Sequence, residues 1–400
     1  MKLSLNSVPA SMLTGASDER SRLVCLGRML MKEANGRTTN KIRNNKAYTE
    51  TMDAETYAKT NENVKKKIML FCAERADSVE GREKNDDYQV FLSHGRDYYK
   101  NQVFLRTLAG IVQDIVRPML PYVTSNALDE LGQVVNVPFG QTYEITVHSN
   151  DIFLFQDSTW GASRSVPENT MYDYPITLNP SPRSCSATAK WYQLVGNDAD
   201  FGLWLNAIYA GLYSKIMALW NGAMTAAASD QFFTPSYLQF NGFNSNNFNL
   251  AVEAVSAANH VPVDRLIVYG RRPTLARMLP TGTAQDAALT YMLGDEWMRN
   301  GYMGTIQGVR SFELLNAMVP GTQNTTGSLV LSDNTAYIAA SRGNGYAPIY
   351  IGFEDGSPIV LEMEPHETAD MTLNVNVTAS MDVKAVFGTK LAVITNISGN

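Results

Sequence analysis

Cysteine is scarce. The 400 residues hold three, Cys25, Cys72 and Cys185, far apart and without a CxxC pair. That spacing excludes a disulfide framework or a zinc knuckle, and leaves free thiols in a chain made in a reducing cytoplasm as the simplest reading. Histidine is equally scarce: His94, His148, His260 and His366 are the four. The chain has no GxxxxGK[ST] phosphate loop and no HExxH, GxSxG or GxGxxG motif. Those patterns mark nucleotide, zinc-hydrolase, serine-hydrolase and dinucleotide chemistry respectively. No catalytic residue, cofactor or resident metal is therefore expected. Residues 1–15 lack the basic start and apolar run of a secretory signal. The most apolar stretch, 201–228, is broken by Asn206, Ser214, Lys215 and Asn221. With no unbroken run of about 18 apolar residues, it reads as a buried helix and not as a membrane span.

What is present is apolar mass and an uneven charge. Hydrophobic residues make up 44% of the chain, with nineteen Tyr, fifteen Phe and five Trp. That suffices for one large or two modest cores, and the large rings suit interfaces as well as interiors. The net charge of −6 hides an asymmetry. Residues 1–48 carry nine basic and three acidic side chains, hence +6, and the remainder carries −12. A basic arm on an acidic body suits a protein that meets nucleic acid with one end; a solvated helical surface is the alternative. Within the arm, Arg37, Lys41 and Arg43 fall in a loop-like stretch, 35–45, and Lys46 follows directly on it, with few acids nearby. They are the candidate phosphate contacts.

Along the chain, helical spacing predicts helices over 21–34, 53–76 and 101–116. Gly27 counts against the first, and a charged break falls at 79–87. A short helix is expected over 126–131. From 141 to 194 the texture is that of strands. Tyr143, Ile145 and Val147 alternate with polar residues, Ile152 and Leu154 continue the period, and Ala187, Ala189 and Trp191 alternate again. The polar stretch between them, 157–182, has little to form a core. An excursion of that length is expected to lie on another chain. A long helix follows over 198–228, capped by Asn197 or Asp198 and covered on most sides, with Leu212, Leu219, Ile208 and Tyr209 on its buried face. An α/β section comes next: a helix capped by Asn246 or Asn247, a strand at 265–269, a Pro273-led helix, and strands over 305–312, 327–340, 349–353 and 359–361. Residues 371–397 read almost wholly as strand.

Two clusters invite chemistry. Glu362, Glu364 and His366, with Glu367 and Asp370 nearby, share one face of a strand and could offer oxygens and an imidazole to a cation. A solvated strand end is the plainer reading. Arg271 and Arg272 lie between a strand and a helix start, where an anion could bind. Pro273 removes one N–H donor there, and an intersubunit contact with acidic side chains is the plainer reading.

The order of these parts resembles the major capsid proteins of tailed bacteriophages, the HK ninety-seven-like fold. The phrases ALDELGQVVNVPFGQTYEITV, RLIVYGRRPTLARML, GTIQGVRSFELLNAMVPGT and TASMDVKAVFGTKLAVITN carry the likeness locally, over about 105–396. The resemblance implies an α+β fold made of an N-terminal helical extension or arm (1–100), a lead into the peripheral domain (101–140) and an extended β-hairpin loop (141–194). A long spine helix (195–232), an α/β apical domain (233–364) and return strands of the peripheral domain (365–400) complete it. It implies a subunit that assembles with itself into hexamers and pentamers in the host bacterial cytoplasm and resides in the virion. Its implied partners are scaffolding, portal and decoration proteins, with non-specific contact to packaged DNA and none to a membrane. An encapsulin-type nanocompartment shell shares the fold. A phosphate-binding α/β enzyme using Arg271 and Arg272 is the alternative of another class. The first hundred residues depart from the minimal pattern; in some family members a scaffolding segment there is removed by a protease.

Overall fold

The computed structural model describes residues 18–36, 38–43, 46–51, 54–83, 87–116, 132–148, 153–155, 168–170, 173–196, 200–278, 301–314, 316–321, 327–331, 334–340, 348–354, 359–367, 371–386 and 390–397. In chain order it holds α1 (Glu19–Gly36), β1 (Thr38–Arg43), β2 (Lys46–Thr51), α2 (Ala54–Glu80), α3 (Tyr88–Ser93), α4 (Gly95–Lys100) and α5 (Gln102–Val116). Then come β3 (Gly132–Val137), β4 (Tyr143–His148), β5 (Asp173–Leu178), β6 (Ser181–Lys190), α6 (Trp191–Val195) and α7 (Phe201–Ser229). The α/β part runs through β7 (Gln239–Asn241), α8 (Ser245–Asn259), β8 (Leu266–Gly270), α9 (Arg272–Arg277), β9 (Thr305–Ile306), β10 (Val309–Glu313) and β11 (Ala336–Ala340). It closes with β12 (Ile349–Glu354), β13 (Ile359–Glu367), β14 (Thr372–Ala385) and β15 (Ala392–Thr395). Helices and sheets are both abundant, so the chain is α+β. The expected helix at 126–131 and the turn at Asp355 lie outside the described residues.

The chain divides into two compact units. The first comprises 1–122, 181–212 and 356–380. Its centre is α5, whose Phe104, Leu105, Leu108, Ile111, Val112 and Ile115 recur every three or four residues and are all buried. Asn101 caps it, accepting from the amides of Val103 (2.9 Å) and Phe104 (3.2 Å). Helix α1 packs on α5 at Gly27, where Ile115 sits so near that an added Cβ would collide with it. The glycine that weighs against a helix in the sequence is thus what this packing needs. Arg20 pairs with Asp114 at 2.7 Å beside it. Strand β13 runs antiparallel to the first part of β14, with Leu361 opposite Val377, and β6 also pairs with β14.

The second unit comprises 123–180, 213–355 and 381–400. Its six-stranded sheet has the order β7-β15-β11-β8-β10-β9. Strand β8 is buried at every position, as a two-sided central strand requires. Its core joins Leu266, Val268, Ile338 and Ile394 to Phe248, Ala251 and Val255 of α8. Asn244, and not Asn246 or Asn247, caps that helix, accepting from the Asn247 amide at 2.7 Å. Between β9 and β10, Gln307 and Gly308 both have positive φ, the geometry of a tight hairpin turn. In the same unit β12 pairs in parallel with β3 and antiparallel with the last residues of β14. At the end of the chain, strand β15 joins the six-stranded sheet, between β7 and β11. Strands β12 and β13, assigned by sequence to the apical section, pair with β14.

Candidate functional site

The β4–β5 hairpin is the strongest candidate for a working surface. Its six residue pairs run from Tyr143 opposite Leu178 to His148 opposite Asp173. Ile145, Val147 and Leu178 anchor its base, buried with Tyr350 and Val386. The Asn179 amide donates to Asp382 at 3.0 Å. At the other end of the ladder, His148 Nδ1 lies 2.6 Å from an oxygen of Asp173. Farther out, Asn169 accepts from the Leu154 amide (3.0 Å) and donates to the Leu154 carbonyl (3.2 Å), so a side chain stands in for a strand partner. Here Phe153, Leu154 and Phe155 are exposed, Phe155 at 92%. Three consecutive exposed apolar residues are uncommon on a folded surface. The return strand of the hairpin is β5, within the stretch read as coreless. Ala187 belongs to β6 and is exposed, and Trp191 opens α6. The strand expected from this alternation is present as β6, but it is exposed along nearly its whole length and ends before Trp191.

The long helix departs from expectation in its burial. Leu205, Ile216, Met217, Trp220, Met224 and Ala227 are buried, whereas Ile208, Tyr209, Leu212 and Leu219 are only half-buried and Leu203 is 52% exposed. Among the described residues it is therefore not covered on most sides. Its cap is Asp200, which accepts from the Leu203 amide at 3.1 Å; Asn197 and Asp198 lie outside the described residues.

The basic candidates are brought together in part. Residues 38–43 form a strand instead of a loop, and the register sets Arg43 opposite Lys46 and Lys41 opposite Tyr48. Arg37 lies outside the described residues.

The other candidates have local roles. Arg271 donates to the Leu331 carbonyl at 2.8 Å, and α9, with six residues, is too short to offer an anion site at its start. Arg272 is exposed and stands beside Gly301, whose positive φ and lack of a Cβ leave room for the guanidinium. Along β13, Leu361 and Met363 are buried while Glu362, Glu364 and His366 are exposed. His366 contacts Asn374 at 3.2 Å. Asp370 lies outside the described residues, among which no three His, Cys, Asp or Glu side chains are placed to hold a metal ion. Cys72 is buried, which pushes its thiol well above the ordinary range; Cys25 is half-buried and Cys185 exposed. Among the described residues no helix is long and apolar enough to cross a membrane.

No family profile and no curated protein matches the chain. Solved structures with a similar arrangement include the capsid of a native GTA particle, 12% identical, covering 68% of this chain and 91% of that one at a TM-score of 0.45. The mature capsid of bacteriophage PhiM1 is 9% identical, covering 66% and 85% at 0.44. Mycobacterium phage Bobi is represented at 14% identity, covering 70% and 91% at 0.42.

Proposed function

We propose that this chain is a major capsid protein, which assembles into the hexamers and pentamers of an icosahedral phage head enclosing double-stranded DNA. The hairpin carries the reading. Its base is locked into the second unit, while the residues beyond its ladder present Phe153, Leu154 and Phe155 to solvent. A second copy of the chain is the occupant that the shell reading assigns to that surface. The order of parts supports it: helices first, then the hairpin, the 29-residue helix, the six-stranded α/β sheet and the closing strands. Many modest contacts between identical subunits allow errors to dissociate during assembly and give high stability once rings close.

In this reading the basic hairpin, with Arg37, Lys41, Arg43 and Lys46, faces the genome and touches phosphates without base specificity. Scaffolding, portal and decoration proteins complete the partner set, with assembly in the host bacterial cytoplasm and residence in the virion. The enzyme alternative would use Arg271, which donates to the Leu331 carbonyl, and the exposed Arg272. Negative-stain microscopy of the expressed chain tests the proposal. Rings, sheets or closed shells are expected; dispersed particles of single-subunit size would reject it. Closed shells filled with protein cargo would favour the nanocompartment instead.

A further inference from the structure

The segment that departs from the minimal capsid pattern is held by the rest of the first unit through a series of specific bonds. Lys65 of α2 is only 2% exposed, and its ammonium donates to the Gly196 carbonyl, just before the long helix. Burying a cation is costly unless it is well partnered. Tyr57 and Asn61, on the same helix, donate to the capping carboxylate of Asp200 at 3.0 and 2.8 Å. Tyr88 donates to the Val195 carbonyl at 2.6 Å. In the other direction, the Trp191 indole donates to the Gly95 carbonyl at 2.8 Å, and its ring, 2% exposed, meets Phe104 edge-on at 5.6 Å. Tyr99 donates to the Thr372 carbonyl at 2.6 Å, and the Leu361 amide reaches Gln113 at 3.4 Å. Residues from α2, α3, α4 and α5 thus bond the capping carboxylate and the backbone just before α7, the Trp191 indole, and backbone groups of β13 and β14.

We propose that residues 54–116 are a permanent part of the subunit, built into its fold and kept in the assembled particle, and are not a detachable scaffold. The statement about the particle rests on the capsid reading; the statement about the fold does not. Removing the segment would take these partners from Asp200, Val195, Gly196 and Trp191 together, expose the apolar ring of Trp191, and leave the long helix without the two side chains that brace its cap. Any processing that spares the fold therefore falls before Ala54.

Limited trypsin digestion of the full chain under native conditions, followed by size exclusion and intact-mass analysis, tests this. Arg82, exposed just after α2, is one accessible site. The segment is expected to stay with the remainder, whether uncut or nicked there. Its release as a separate fragment, with the remainder still melting cooperatively, would overturn the inference. A second readout is hydrogen exchange in Tyr57→Phe/Asn61→Ala. Amides at 203–205 should exchange at least several-fold faster than in the parent chain, and unchanged exchange there would overturn the bracing role. Shells built from chains lacking 54–116 would reject this inference and leave the capsid reading standing. A segment that stays bound in a chain that never assembles would do the reverse.

Discussion

Trp220 is fully buried in the long helix, with Ile216, Met217 and Met224 on the same stripe. Truncating Ile216 to Ala should cost about 2–5 kcal/mol by the usual transfer and cavity terms. Leu212→Ala, at a half-buried position, should cost much less, and chemical denaturation of the two variants measures the difference. This stripe was hard to read because the helix is apolar nearly all round, so no single face stands out against a polar one. Gly27→Ala should destabilise by about 1–3 kcal/mol, since the new methyl meets Ile115 across two packed helices. Alkali should act on the same unit. Burial pushes the Tyr88 phenol up to about 12 from 10.0, and burial with the bond to Asp77 pushes Tyr98 higher still. Both groups hold their proton more tightly in the folded chain. Their contribution is complete below pH 10 and is lost as pH rises through 10 toward 12. Melting temperature should fall across that window, and less so in Tyr88→Phe.

At the scale of elements, the hairpin and the basic arm make separate predictions. Phe153→Ser/Phe155→Ser removes exposed apolar surface, so the melting temperature of the isolated subunit should be unchanged while assembly, followed by light scattering, is lost. Replacing Arg37, Lys41, Arg43 and Lys46 with Gln should leave empty shells intact and weaken DNA-filled particles at low salt. Impaired empty shells would mean that these residues pair with acids of neighbouring subunits. The elements themselves were legible wherever periodicity was strong: α5, α7, β8 and β14 stand where apolar spacing puts them. The hairpin's return strand was not. Asp173–Leu178 contains Pro175 and sits in a polar stretch, and its partner is known only from three-dimensional pairing. The strands at 38–43 and 46–51 escaped notice because Thr, Asn and Lys make a weak strand signal.

At the scale of the whole molecule, the order of parts was readable and the sheet memberships were not. Strand β15 looks like any short apolar strand, and only long-range pairing assigns it to the six-stranded sheet. The surface on which function rests was half visible. A long excursion could be read from the sequence, but the exposure of Phe153, Leu154 and Phe155 required the fold. The most direct test is a reconstruction of the assembled particle at side-chain resolution. Phe153, Leu154 and Phe155 should be covered by a neighbouring copy of the chain in a closed shell. If the same three side chains are instead packed on their own subunit, or remain in solvent within the particle, the account is contradicted.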